Sequence, residues 1–330
     1  MAIYKTEHGF EIKHRSSDPP SPIKGEIWYN TTTQTLKVAP EIGAWASSTA
    51  VNTGRRSATG VYVGTTTSAL FCGGLPNASP AKSDLTEEWD GSSWTESGDM
   101  NTSRANHTVW GTQTAAVSAG GELPPTNESL ATEEYNGSSW SNGENVPIYK
   151  VSAGGTGVLT AGLMAGGAGS PDGNPGTSGA TTTTLEYDGT DWTTGGAINT
   201  ARYRAGVVGT QTAGLFLSGG TNPNVNPGAS HEYDGSSWSA PANTPTDINQ
   251  FGMTGTQTAA ITFGGYIPSG PGRTDAVQNY DGSSWSSNPT SMPSLWGLNR
   301  AVGTSTAAFM AGGNNPPSPP AAALIASYDW

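Results

Sequence analysis

The stretch Thr132-Glu-Glu-Tyr-Asn-Gly-Ser-Ser-Trp140 recurs with small changes at Trp89–Trp94, Tyr187–Trp192, Tyr233–Trp238 and Tyr280–Trp285. Each copy places an aromatic residue, an Asp or Asn, a Gly, two short residues and a Trp in order. The Asx-Gly pair supplies the positive-φ residues of a tight hairpin, with strands entering through the aromatic residue and leaving through the Trp. One such hairpin is marginally stable in water, so the repetition itself carries the fold.

Two further markers recur in phase. A Gly-Gly pair closes an apolar run at Gly73, Gly120, Gly166, Gly219, Gly264 and Gly312. A glycine opening a turn precedes each pair. It reads Gly111-Thr-Gln-Thr114, Gly209-Thr-Gln-Thr212 and Gly255-Thr-Gln-Thr258, with variants at Gly64, Gly157 and Gly303. Six pairs indicate six units of about 47 residues, too short-stranded and turn-rich for helical solenoids.

One unit parses into four strands. Strand A runs through Ala105–Trp110, strand B through Ala115–Ala119, strand C through Thr132–Tyr135, and strand D starts at Trp140. Four antiparallel strands per unit, repeated radially, make a propeller blade. The last copy, Ala326-Ser-Tyr-Asp-Trp330, is a strand C without a strand D. Ile42-Gly-Ala-Trp45 stands ten residues before Arg55, as Trp94 stands ten before Arg104, so the residues near Trp45 are expected to complete the last blade. The expected fold is all-β: a six-bladed propeller over residues 41–330, closed 1+3, behind a separate segment of residues 1–40.

Composition agrees. Of 330 residues, 46 are Gly and 23 are Pro, and only 12% are charged, which favours turn-rich β structure over helix. The single cysteine, Cys72, ends an apolar run and reads as a small core residue. Residues 1–40 are nearly neutral, so the net charge of −12 lies in the repeats. An acidic surface without clustered Lys and Arg argues against nucleic acid and against anionic membrane surfaces. No apolar run approaches the ~18 residues that cross a bilayer, and the N-terminus lacks the apolar core of a signal peptide.

In residues 1–40, Asp18-Pro-Pro-Ser-Pro22 breaks regular structure. Gly25-Glu-Ile-Trp-Tyr-Asn-Thr-Thr32 then begins a hairpin through Trp28 and Tyr29 that returns through Leu36 and Val38. Two readings stay open: the hairpin packs on the next domain, or Trp28 and Tyr29 form an attachment module for another chain.

An apolar strand, a Gly-Gly pair and a Tyr and Trp five residues apart resemble the kelch repeat over residues 41–330. The wording Gly-Thr-Gln-Thr-Ala with Glu-Tyr-Asp-Gly-Ser-Ser-Trp, behind Gly25–Thr32, is similar to kelch-like virion proteins of marine tailed phages. That resemblance implies a structural or tail-associated virion role. Kelch-type copper radical oxidases need a Cys-linked Tyr and His ligands. The four His, at 7, 14, 107 and 231, have no ligand spacing, and no metal or other cofactor is expected. The Asp234-Gly-Ser-Ser-Trp238 run differs from a sialidase Asp-box in having its Gly adjoin the Asp, and it reads as the C–D turn.

Arg55, Arg104, Arg202 and Arg300 recur just before strand A, with Lys150 and Asn249 near that position in the other units. Glu88, Glu134, Glu186 and Glu232 recur before the strand C aromatic. These charges read either as repeated structural ion pairs or as an arginine rim that binds an anionic group. The variable B–C loops share a face with the D–A connections, and a rigid scaffold commonly carries its binding residues there. Tyr266 and Trp296 lie in or near them and could stack on sugars.

The expected function is a non-enzymatic phage virion protein that docks to the particle through residues 1–40 and presents its loop face. The alternative is a host-surface glycan adhesin, with a glycan hydrolase as a third class. Expected partners are other virion proteins and a host-surface glycan or protein. Homo-oligomerisation is open, without any coiled-coil signal.

Overall fold

The structure, a computed structural model, describes residues 12–17, 27–38, 45–56, 62–76, 82–125, 127–170, 179–217, 219–220, 228–267, 272–295, 297, 300–313 and 327–330. The chain divides into two compact units, residues 1–44 and 45–330.

In the first unit, Ile27–Asn30 pairs antiparallel with Thr35–Val38, with Tyr29 opposite Leu36. The turn between them is held by Asn30, whose Oδ1 accepts the backbone N–H groups of Thr32 and Thr33 at 3.0 Å. The hairpin expected from the sequence gains a third strand: Lys13–Arg15 runs parallel to Ile27–Asn30. Sequence reading missed it because three polar residues carry no alternation. The breaker at residues 18–22 lies outside the described residues.

The second unit is a β-propeller without helices among the described residues. Five blades are each continuous in sequence. Their A strands are Tyr62–Thr65, Thr108–Thr112, Gly154–Val158, Gly206–Thr210 and Gly252–Thr256, followed outward by B, C and D strands. One further four-stranded sheet is composite. It takes Arg300–Gly303, Ala308–Ala311 and Ser327–Asp329 from one part of the chain and Ala46–Ser48 from another. The six equal units counted in the sequence are therefore five continuous blades and one joined sheet. The six A strands lie side by side in order, and Arg300–Gly303 neighbours Tyr62–Thr65 to close the ring.

Register in the joined sheet sets Asp329 opposite Ala46 and Tyr328 opposite Ser47. Trp330 exchanges backbone hydrogen bonds with Ala308, as the strand C aromatics do in other blades. The Trp45 ring lies tilted 5.1 Å from that of Trp330 and edge-on 5.1 Å from that of Phe263. The aromatic position of this sheet is thus Trp330 rather than Tyr328.

Each B strand is apolar because both its faces are covered. Leu70, Phe71, Val117, Leu163, Leu215, Phe216, Ile261 and Met310 are fully buried. The core consists of separate clusters between neighbouring blades, for example Val63, Leu70, Val109, Ala116, Tyr135 and Trp140. The turn glycine opening each A–B hairpin has φ between 107° and 120°. At Gly111 a Cβ would sit 2.3 Å from the Ala115 carbonyl oxygen, so only glycine fits there.

Candidate functional site

The repeated polar residues are the first candidates, and the fold gives most of them a partner within the protein. Arg104 is fully buried. Its Nη2 pairs with Glu133 Oε1 at 2.9 Å, and its Nη1 donates to the carbonyls of Gly120 and Ala131 at 3.0 and 2.6 Å. The second Glu133 oxygen accepts the Asn101 backbone N–H at 2.6 Å. Arg55 repeats this arrangement with Glu87 at 2.6 Å, and Asn52 N–H donates to Glu87 Oε2 at 2.8 Å. Burial lowers the Arg104 pKa, opposed by the charge of Glu133. These arginines tie the D–A connection and the glycine pair to strand C. They do not rim an opening as an anion-binding surface would require.

The other positions differ from the sequence alignment. The residues following the glycine pairs bridge Ala105, Val151 and Asn249, and Gly220 bridges Tyr203. By that register Lys150 and Arg202 are the equivalents of Arg104, and so is buried Ile248 rather than Asn249. Arg300 heads strand A of the joined sheet, opposite Ala311, as Thr108 stands opposite Ala119. It is therefore displaced from the arginine position into the strand. The fourth glycine pair is also displaced, because Gly219 has φ 94°, matching the second glycine Gly121 at 96°.

Lys150 Nζ donates to the Gly166 and Thr183 carbonyls and to the Thr181 hydroxyl. Burial without a carboxylate lowers its pKa to about 7. Leu185 stands where Glu133 would be, since Met164 faces Leu185 as Ser118 faces Glu133.

Glu88, Glu134, Glu186 and Glu232 are not the arginine partners. They accept the hydroxyls of Tyr135, Tyr187, Tyr233 and Tyr280 from the following blade, at 2.5, 2.5, 2.5 and 2.7 Å. The Gln of the Gly-Thr-Gln-Thr turn reaches the preceding blade. Gln113 Nε2 donates to the carbonyls of Ala69 and Trp89, Gln211 to Gly162 and Tyr187, and Gln257 to Gly214 and Tyr233. Trp140 and Trp238 donate backwards to Thr86 and Thr184 hydroxyls at 3.0 and 2.9 Å. The Tyr and Trp of the repeated hairpin and the Gln of the repeated turn thus act as clips between blades.

The Asx-Gly turns are self-contained. Asp234 Oδ1 accepts the backbone N–H groups of Ser236 and Ser237 at 2.8 Å. Hydrogen bonds led by the Ser237 N–H and the Ser236 hydroxyl hold its pKa at about 2. Gly137 packs on Thr114 and Gly235 on Thr212, so the C–D and A–B turns share a face.

Cys72 Sγ lies 3.9 Å from His107 Nε2. Burial pushes the thiol up to about 12 and the imidazole down to about 3. This leaves a neutral thiol beside a neutral ring, without the thiolate that nucleophilic chemistry requires.

A central cavity of ≈ 140 Å³ is lined by the A strands, with Val63, Val109, Val207, Met253 and Ala301 among the wall residues and Gly64, Gly111, Gly157, Gly209, Gly255 and Gly303 around it. Among the described residues no ionisable side chain lines it. Thr156 and Thr254 bridge its wall by donating to the Gly209 and Gly303 carbonyls at 2.7 and 2.8 Å. It can hold water or a small neutral group, but it brings together no acid and base.

On the loop side, Tyr266–Ile267 and Gly272–Arg273 form a ribbon with Tyr266 opposite Arg273. Tyr266 is 39% exposed, the only large exposed aromatic among the described residues. Trp296 lies outside the described residues, as does much of the B–C loop sequence, at 77–81, 171–178, 221–227, 268–271 and 314–326. In the first unit Trp28 is buried and Tyr29 half-buried, the latter's ring 5.3 Å from that of His14. No group of three or more His, Cys, Asp or Glu that could hold a metal occurs among the described residues.

The fold and these contacts define a β-propeller whose repeated polar residues join its blades. No protein-family model matches the chain, and no curated protein matches it.

Proposed function

We propose that this protein is a non-enzymatic, kelch-like propeller that serves as a virion structural component and presents a rigid binding surface. Its first unit docks it to other virion proteins. The observation that carries this reading is the engagement of the recurring Arg, Glu, Gln, Tyr and Trp side chains in blade-to-blade and strand-to-connection hydrogen bonds. Such residues hold a platform, and the differences between repeats fall in the B–C loops. The likeness of Gly25–Thr32 and of the repeats to phage virion proteins supplies the setting. Particles assembled with residues 1–44 deleted are expected to lack the propeller. Normal incorporation of the truncated chain would overturn the docking role.

A second reading, glycan binding at the loop side, is favoured by exposed Tyr266 beside Arg273. An aromatic face next to a guanidinium suits a sugar ring that carries acidic groups. Glycan-array binding lost in Tyr266→Ala would support it, and an array without hits would remove it.

A further inference from the structure

The fourth blade holds a buried cation that no carboxylate among the described residues pairs with. In the first two blades the slot behind the glycine pair contains three parts: an arginine, a glutamate, and a backbone N–H from an Asn-Thr step. In the fourth blade the arginine is Arg202, 3% exposed, and the Asn-Thr step is Asn199-Thr200. The glutamate is absent. Phe216 faces His231 as Ser118 faces Glu133, so His231 stands in the carboxylate's place.

His231 is 3% exposed, and neither of its ring nitrogens has a hydrogen-bond partner. A neutral imidazole always carries one N–H, so a buried donor there faces no acceptor. Among the described residues Arg202 makes one hydrogen bond, from Nη1 to the Ala229 carbonyl at 3.1 Å. Burial lowers its pKa with no neighbouring carboxylate to offset the effect. The neighbouring Glu232 is engaged by the Tyr280 hydroxyl.

The third blade shows why this matters. Its cation is a lysine, satisfied by three oxygens and able to release its proton near neutrality. An arginine cannot discharge in that way, and a buried guanidinium without a counter-ion is strongly unfavourable.

We infer that the fourth-blade slot binds a small monovalent anion such as chloride, held by the Arg202 guanidinium and a His231 ring N–H. The anion replaces the side-chain carboxylate that Glu87 and Glu133 provide in their own blades.

The test compares thermal unfolding in chloride and in gluconate, a far larger anion, at equal ionic strength. The wild-type protein is expected to gain about 2 °C in Tm at saturating chloride. His231→Glu, which restores the carboxylate of the first two blades, is expected to lose that gain while folding normally, and Arg202→Met is expected to lose it too. Crystals grown in bromide should show an anomalous peak within hydrogen-bonding distance of the Arg202 guanidinium. Equal melting in chloride and gluconate, an unchanged chloride gain in His231→Glu, or no bromide peak at Arg202 would each overturn the assignment.

Discussion

Tyr187 Oη donates a 2.5 Å hydrogen bond to Glu134 Oε1 across the boundary between the second and third blades. The same bond joins Tyr135 to Glu88, Tyr233 to Glu186 and Tyr280 to Glu232. Each is a phenol–carboxylate contact, stronger than a neutral hydrogen bond. Tyr187→Phe is expected to lower stability by about 1.5–3 kcal/mol. Tyr29→Phe, in the other unit, serves as control, and urea unfolding reads both. Equal effects would show that the ladder does not hold the blades together.

The ladder also fixes the alkaline limit. Burial, with the hydrogen bond and charge of the acceptor glutamate, pushes Tyr135 and Tyr233 up to about 12 from an ordinary value near 10. Folded-state values above the unfolded value mean that the native protein keeps protons the unfolded chain releases. The associated stability is complete below pH ~10 and is lost as pH rises toward 12. Tm measured from pH 9 to 11.5 should fall, and it should fall less steeply in Tyr233→Phe.

Lys150 works in the opposite sense at lower pH. Its value drops to about 7 on burial, so between pH 7 and about 10 the unfolded state holds a proton that the native state has released. Stability should therefore rise with pH over that window. A Lys150→Met profile that keeps the same slope would contradict this.

The buried Arg104–Glu133 pair should be costly to break and cheaper to remove whole. Glu133→Leu alone is expected to destabilise by about 3–5 kcal/mol because it strands the guanidinium. Arg104→Met with Glu133→Leu should cost less than the sum of the two single changes, since the double variant leaves no buried charge unpaired. A double-mutant cycle by chemical denaturation gives the answer.

Gln113 is an instance of a turn residue acting at a distance. Gln113→Ala removes three hydrogen bonds to the first blade and should lower stability by about 1–3 kcal/mol. Thr114→Ala, exposed in the same turn, should change it by less than about 0.5 kcal/mol. Similar losses for the two variants in thermal unfolding would remove the clip reading.

Much of the architecture could be read from the chain because repetition in phase is a local signal. The Asx-Gly turns, the apolar B strands and the turn glycines each follow from backbone conformation and burial at short range. Even the joining of Ala46–Ser48 to Ser327–Asp329 could be inferred, since each lacks what the other supplies. The parallel strand Lys13–Arg15 could not, because long-range pairing of a polar strand leaves no period to detect.

The roles of the repeated charges were not legible in the same way. Arg104 and Glu134 looked like natural partners by repetition, yet adjacent residues on a strand point to opposite faces. Strand C thus turns Glu133 inward to the arginine of its own blade and Glu134 outward to the tyrosine of the next. The sequence alone determined that this chain is a ring of four-stranded β units with glycine-specified turns. Only the tertiary structure decided which side chains meet across the blades, because those partners lie some 30–55 residues apart and are chosen by packing. The same packing left Arg202 beside His231 where Arg55 and Arg104 meet a carboxylate.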